Sequence, residues 1–403
     1  MQKESKTLHL FTAEFPFGNK SETFLETEIL FLSKEFNRVI VYPSVKKEDI
    51  VRRLPSNVKV NSVLINESIS KRDKILILIK KCATVRSIIY SEIKDKGFNK
   101  VLKNRKILFD YLSQQLMRSG KLEKEIGFKK TDVFYDYWFI DSLLALTILK
   151  KKGLINAINA RGHRFDIYDD CHNEIGVPFR NWKMKSISKL FLISQHGFDY
   201  LTSKLELKFH SKLFLSRLGV IKNQNDVDKI KMDKKLIVSC SSINDFKQVH
   251  LIAELLKEIP TNFHWVHFGD GPELHRVKNA LKNKPSNFTV ELKGHVDNSE
   301  VIKFYKNHEV DLFISTSRSE GLPVSMMEAQ SFGIPIVSFP IGGIPEIVKD
   351  KLTGFLLSNE RSNNISIIKK ALEYQFSKPE IVAYFNAHFN AVVNYAEFVK
   401  LIR

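Results

Sequence analysis

Two glutamates with seven residues between them, Glu320 and Glu328, stand in the segment Ser319-Glu320-Gly321-Leu322-Pro323-Val324-Ser325-Met326-Met327-Glu328-Ala329. A helix is expected over 323–332, with Glu320 just before it and Glu328 on it. A carboxylate on a mainly apolar helix is costly unless it has a partner or holds a ligand. The free amides at such a helix start can meet a phosphate, and a carboxylate beside them can hold sugar hydroxyls. A structural carboxylate network is the other reading of the same pair. Two more loops have a related form. Gly269-Asp270-Gly271-Pro272-Glu273 follows a strand expected to end at Phe268, and Phe339-Pro340-Ile341-Gly342-Gly343-Ile344-Pro345-Glu346 carries paired glycines. Glycine permits a tight turn and close backbone approach, and Pro272 suits a first helical turn. A capped helix start and a plain sharp turn are the alternatives for these two loops.

All three loops fall between expected strands and helices. In the second half the apolar runs predict strands at 236–240, 263–268, 288–292, 312–315 and 335–339. Helices are expected at 249–256, 272–281, 300–307, 323–332 and 344–348, and the last stretch, 365–403, reads as helical. Strands alternating with helices are the pattern of a parallel sheet covered on both faces. Such sheets bind ligands beyond the carboxyl ends of their strands. The first half shows the same α/β layout less regularly. A strand at 8–12 leads through a turn-rich stretch at 15–21 to a helix at 22–35 and a strand at 38–42. Apolar runs at 75–79, 132–135 and 157–160 are further strand or buried-segment candidates, 187–193 is another apolar segment, and a helix is expected from Tyr200.

At 403 residues the chain exceeds what one core usually supports, so two domains are expected. The polar, charged stretch 221–235 reads as the linker between them. The first domain is then 1–220, the second 236–380, with a closing segment at 381–403. Three cysteines, Cys82, Cys171 and Cys240, are odd in number and far apart. That excludes a disulfide scaffold or structural zinc site and fits a reducing compartment. The charged start, residues 1–6, does not read as a signal peptide, and the apolar runs are shorter than the ~20 residues that span a bilayer. A cytoplasmic location is expected. The net charge is +18, and residues 71–130 hold 17 Lys or Arg against 6 Asp or Glu, a local surplus of 17 − 6 = 11. No nucleic-acid module accompanies this charge, so nucleic acid is not an expected partner. Lysine and arginine interleave with apolar residues over 101–109 and 111–126. An interfacial helix needs that pattern, although a solvated basic face has it too.

The three loops together resemble the C-terminal half of the retaining glycosyltransferases of GT-B fold known as glycosyltransferase family 4, especially its bacterial surface-polysaccharide members. The resemblance is dense from Leu236 to Leu357. It includes Gly294-His295-Val296, Ser317-Arg318-Ser319-Glu320-Gly321-Leu322-Pro323, Gly333-Ile334-Pro335 and Thr353-Gly354-Phe355-Leu356. It implies two Rossmann-like domains facing across a cleft. It places Glu320 beside the donor sugar, Glu328 on the ribose hydroxyls, and Gly321, Leu322 and Pro323 at the donor diphosphate. Gly294, His295 and Val296 would lie near the base, and Lys247 would stabilise charge on the leaving diphosphate. The family's usual arginine five positions earlier is here Ser242, which cannot give a bidentate charged contact. In the first half, Gly18 of Pro16-Phe17-Gly18-Asn19 stands where the family has a glycine loop over the diphosphate, without the adjacent second glycine. His163 of Arg161-Gly162-His163-Arg164 stands at the family's active-site histidine, and Arg217 near the interdomain cleft.

The resemblance implies transfer of a sugar from a UDP- or GDP-type nucleotide sugar to a glycan hydroxyl, with retention and with neither metal nor further cofactor. The basic first half adds a lipid-linked oligosaccharide acceptor and an anionic membrane surface as expected partners. A catalytically silent GT-B scaffold protein is the rival expectation, motivated by Ser242 and the single Gly18.

Overall fold

The computed structural model describes residues 6–18, 22–48, 52–65, 68–125, 127–222 and 229–403. The chain forms two units: Met1–Ser216 with Tyr395–Arg403, and Arg217–Asn394. Part of the stretch read as a linker, 223–228, lies outside the described residues, as do 1–5 of the charged start, 19–21 of the first turn and residue 126.

Among the described residues the first unit has seven strands: β1 (Thr7–Thr12), β2 (Arg38–Pro43), β3 (Val58–Val60), β4 (Val133–Asp136), β5 (Ala157–Gly162), β6 (Lys189–Leu192) and β7 (Leu213–Leu215). They form one parallel sheet in the order β3-β2-β1-β4-β5-β6-β7. Leu8, Leu10 and Phe11 in β1 are all fully buried, because both faces of a parallel sheet are covered. The helices are α1 (Leu25–Glu35) after β1, α2 (Lys71–Lys80), α3 (Cys82–Lys96), α4 (Phe98–Lys103) and α5 (Arg105–Leu122) between β3 and β4, and α6 (Leu143–Lys151) after β4. Then come α7 (Arg164–Ile167), α8 (Arg180–Ser186) and α9 (Gln195–Lys204). Residues 143–149 of α6 are buried all round, as in a helix enclosed by core.

Two expectations are overturned in the first unit. The apolar run 75–79 is neither strand nor buried: it lies within α2, where no residue is buried. The Ser70 hydroxyl caps this helix by accepting from the Asp73 amide at 3.1 Å. A five-residue apolar run does not by itself distinguish strand from helix, and here the cap and the flanking lysines decide for helix. The helix expected from Glu22 begins instead at Leu25, because Glu22 takes a left-handed φ of 52°.

The second unit has β8 (Lys235–Cys240), β9 (Phe263–Phe268), β10 (Phe288–Leu292), β11 (Leu312–Ser315), β12 (Ile336–Ser338) and β13 (Gly354–Leu356). Its helices are α10 (Val249–Leu256), α11 (Leu274–Ala280), α12 (Asn298–Asn307), α13 (Val324–Ser331), α14 (Ile344–Ile347), α15 (Arg361–Glu373) and α16 (Lys378–His388). The strands pair in parallel in the order β10-β9-β8-β11-β12-β13. In each unit the strand order reverses beside the first strand, at β1/β4 and at β8/β11. The crevice at such a switch point is where open α/β sheets take ligands. The last helix, α17 (Ala391–Ile402), contributes Tyr395 and later residues to the first unit. There Phe398 is fully buried, with the Arg161 guanidinium 4.3 Å from its ring centroid, and the Ile402 carbonyl accepts from Asn159 at 2.9 Å.

Candidate functional site

In the second unit the loops after β8 and β11 flank the switch point. After β8, the Asn244 carboxamide organises the turn: its oxygen accepts from the amides of Phe246 and Lys247 at 3.0 Å each, and its nitrogen donates to the Ser242 hydroxyl at 2.9 Å. The turn delivers Lys247 toward the loop after β11, where its Nζ lies 2.5 Å from Oε1 of Glu320. The two loops are also joined through the backbone. The Arg318 amide donates to the Phe246 carbonyl at 2.9 Å, and the Thr316 hydroxyl donates to the Gln248 carbonyl at 2.9 Å.

Glycine makes the remaining loops fit. A Cβ on Gly342, which has a φ of 57°, would stand 2.0 Å from the Glu320 carbonyl oxygen, and the neighbouring Gly343 amide donates to Gly321 at 2.8 Å. A Cβ on Gly269 would stand 1.8 Å from the Ser241 carbonyl oxygen. The Gly269 amide in turn donates to Gly294 at 2.8 Å. Gly294 is thereby brought beside the turn after β9, with His295 exposed and Val296 half-buried after it. Gly321 and the buried Leu322 lead to Pro323, the N-cap of α13.

Glu328, on α13, is buried, and its Oε1 accepts from the Asn298 carboxamide at 2.8 Å. Burial pushes its carboxyl up to about 7, opposed only by that hydrogen bond. Glu320 and Glu328 thus keep different company, a lysine for one and a neutral amide for the other. Arg318 pairs with Asp245 and lies over the Phe246 ring at 5.4 Å. Neither Asn298 nor Arg318 was assigned a role from sequence. Asn298 opens a helix on another strand connection, and nothing in the spacing links it to Glu328. Arg217 pairs with Glu346 at 2.8 Å within the second unit.

In the first unit, His163 follows β5 and its amide donates to Asp166 at 2.5 Å. Its ring is nearly buried among aromatic rings, with centroids 4.4 Å from Trp138, 4.9 Å from Tyr137 and 5.7 Å from Phe24. Its Nε2 has no hydrogen-bond partner among the described residues, a costly state that a ligand hydroxyl would relieve. Gly18 sits in the loop after β1 with a φ of 67°, its carbonyl accepting from Arg52 at 2.7 Å. The three aromatic neighbours of His163 were not foreseen, since Trp138 and His163 are brought together only by adjacent strands.

The family model of "Glycosyl transferases group 1" matches residues 220–384, the stretch holding Lys247, Glu320 and Glu328. This corrects the family assigned from the motifs: the matching model is group 1, not glycosyltransferase family 4. Among curated proteins the chain is 30% identical over 155 residues to WcaL of Escherichia coli, provisionally named a colanic acid biosynthesis glycosyltransferase. That match covers 36% of this chain and 38% of WcaL, so the chain spans well under half the length of this relative. Two solved structures match over nearly the whole chain. The apo lipopolysaccharide outer core galactosyltransferase WaaB has a TM-score of 0.68 at 16% identity, covering 98% of this chain and 99% of its own. Anabaena HepE in complex with UDP-glucose has a TM-score of 0.63 at 14% identity, with the same coverage. The fold of this chain is therefore the GT-B fold, two parallel-sheet Rossmann-like units with their helices packed on them.

Proposed function

We propose that the protein is a retaining glycosyltransferase that moves a sugar from a nucleoside diphosphate donor to a hydroxyl of a glycan acceptor in surface-polysaccharide synthesis. The observation that carries this is the Lys247–Glu320 pair, held at 2.5 Å where the strand order reverses. A diphosphate at that point would draw Lys247 from Glu320, and the ammonium would stabilise charge growing on the departing phosphate oxygen. Glu320 would then be released to the donor sugar's hydroxyls. Pro323 sets the start of α13 toward the diphosphate, Glu328 takes the ribose hydroxyls, and the turn at Gly294, His295 and Val296 lies near the base. Gly18 and His163 serve from the first unit, His163 through its unpartnered Nε2.

In the reaction the acceptor oxygen bonds to the anomeric carbon on the face from which the diphosphate leaves. The carbon–phosphate oxygen bond breaks, and the hydroxyl proton passes to the leaving phosphate. The two glutamates serve separate parts of the donor, unlike the carboxylate pair of retaining hydrolases, which flanks one bond at about 5–5.5 Å.

The acceptor is a lipid-linked oligosaccharide met at an anionic membrane surface. Support comes from α2, whose exposed residues include Ile75, Leu76 and Ile79 beside Lys71, Arg72 and Lys80. Exposed apolar residues edged by cations suit the lipid interface. Among the described residues no helix is long and apolar enough to cross a membrane. The test is nucleoside diphosphate release from a panel of UDP- and GDP-sugars, with and without a lipid extract of the source cell. Release needing one donor and the extract supports the proposal. Silence across the panel with an extract shown to hold the native acceptor favours a non-catalytic GT-B protein.

A further inference from the structure

In the first unit the turn after β1 points successive backbone amides at one spot, the arrangement that binds anions in many α/β proteins. Here the anion is internal. The Glu22 carboxylate accepts from the amides of Ala13 at 3.0 Å, Glu14 at 2.7 Å and Phe15 at 2.5 Å. The same carboxylate accepts from the Trp138 indole at 2.5 Å, through the oxygen that also takes the Ala13 amide. Glu22 is 5% exposed and holds a left-handed φ of 52°, a conformation that side chains other than glycine adopt only where the surroundings enforce it. Arg52 braces the other side of the turn, donating to the carbonyls of Gly18 at 2.7 Å and Glu22 at 3.1 Å. Carboxylate and guanidinium thus satisfy the amides of Ala13, Glu14 and Phe15 and the carbonyls of Gly18 and Glu22 from within the chain.

The indole hydrogen bond has a consequence across the sheet. Trp138 follows β4, the strand across the switch point from β1, and its ring centroid is 4.4 Å from that of His163, after β5. We infer that Glu22 is a positioning residue: by fixing the turn after β1 and the Trp138 indole, it sets the orientation of His163. The link to catalysis rests on the proposed transferase reading, while the link from Glu22 to Trp138 does not. Glu22→Gln puts an NH2 group against amide donors, so it cannot keep all four hydrogen bonds. Trp138→Phe is the gentler change, removing the indole donor and keeping a ring against His163.

The chain has three tryptophans, Trp138, Trp182 and Trp265. With 5-fluorotryptophan incorporated, the 19F resonance missing from Trp138→Phe identifies Trp138. In Glu22→Gln that resonance should move while the other two stay. With the matched donor and acceptor, kcat should fall about 10²-fold in Glu22→Gln, the scale of loss for a small misplacement at a reacting centre. Donor KM should stay within about threefold, as expected when positioning rather than donor binding is lost. Should Glu22→Gln not fold, Trp138→Phe decides on the same kinetics, with an expected kcat loss of about tenfold. An unmoved Trp138 resonance in folded Glu22→Gln overturns the inference, and so does wild-type kcat in both variants. Absence of diphosphate release by the wild type would sink the transferase reading instead, and the resonance alone would then decide whether Glu22 positions Trp138.

Discussion

At the scale of residues, the second unit sets two carboxylates to different tasks by their surroundings. Glu320 faces a lysine, whereas Glu328 faces one neutral amide and is buried. The folded Glu328 carboxyl holds its proton up to about 7, against an ordinary value of 4.5. The folded state therefore binds that proton more tightly than the unfolded one. Stability is then fullest below 4.5 and declines as pH rises toward 7. At about 1.4 kcal/mol per unit, the loss is on the order of 3 kcal/mol by pH ~8. Glu328→Gln removes the ionisation and keeps a carbonyl for Asn298. Urea midpoints measured from pH ~5 to ~8 should fall more steeply in the wild type than in this variant. An equal fall in both would show that Glu328 is not the group responsible. Gly342→Ala tests how the loops converge, since its Cβ would meet the Glu320 carbonyl oxygen at 2.0 Å. Calorimetry should show a loss of about 1–3 kcal/mol, the range for a strained backbone forced to shift.

At the scale of elements, legibility followed burial. β8 and β9 lie inside the sheet with most of their residues buried, and the sequence expectation agreed with β9, β10 and β11 at both ends, although β10 is an edge strand with Glu291 exposed. β3 and β7 span only three residues each, too short to stand out, and neither was foreseen. The helices α2 and α3 were missed because their apolar residues do not all face a core: Ile75, Ile79 and Tyr90 are more than half exposed. For the site, Glu320 and Glu328 could be picked out because they lie on a loop and a helix following a strong strand, whereas Lys247 was picked out only through the family resemblance. The Glu22–Trp138 bond joins residues 116 positions apart and depends on strand order, which no local pattern encodes. The outward face of α2 makes its own prediction. Ile75→Asp with Ile79→Asp removes apolar area that contributes little to folding, so the melting temperature should hold. Sedimentation with anionic liposomes should fall by more than about tenfold, since interfacial binding scales with buried apolar area. Unchanged sedimentation would remove α2 as the membrane face.

At the scale of the molecule, the last residues complete the first unit rather than trail from the second. Tyr395, Phe398 and Ile402 are fully buried, and Phe398 covers Arg161, whose pair with Glu28 at 3.1 Å is itself fully buried. Removing Tyr395–Arg403 would uncover that pair and take away three large apolar side chains, each contributing about 1.5–3 kcal/mol when buried. Hydrogen exchange should then show lost protection in β4, β5 and β6, with β8 to β12 keeping theirs. Equal protection throughout would contradict the division of the core. The Lys247–Glu320 pair is tested most directly by comparing initial rates of nucleoside diphosphate release by the wild type and Glu320→Gln. Both would be assayed with the matched donor and lipid extract, alongside thermal melts. Release should drop by about 10²–10³-fold in a variant that melts like the wild type, as when one preorganised polar group is removed from a transfer site. Wild-type turnover in folded Glu320→Gln would contradict the assignment of this pair as the centre of transfer.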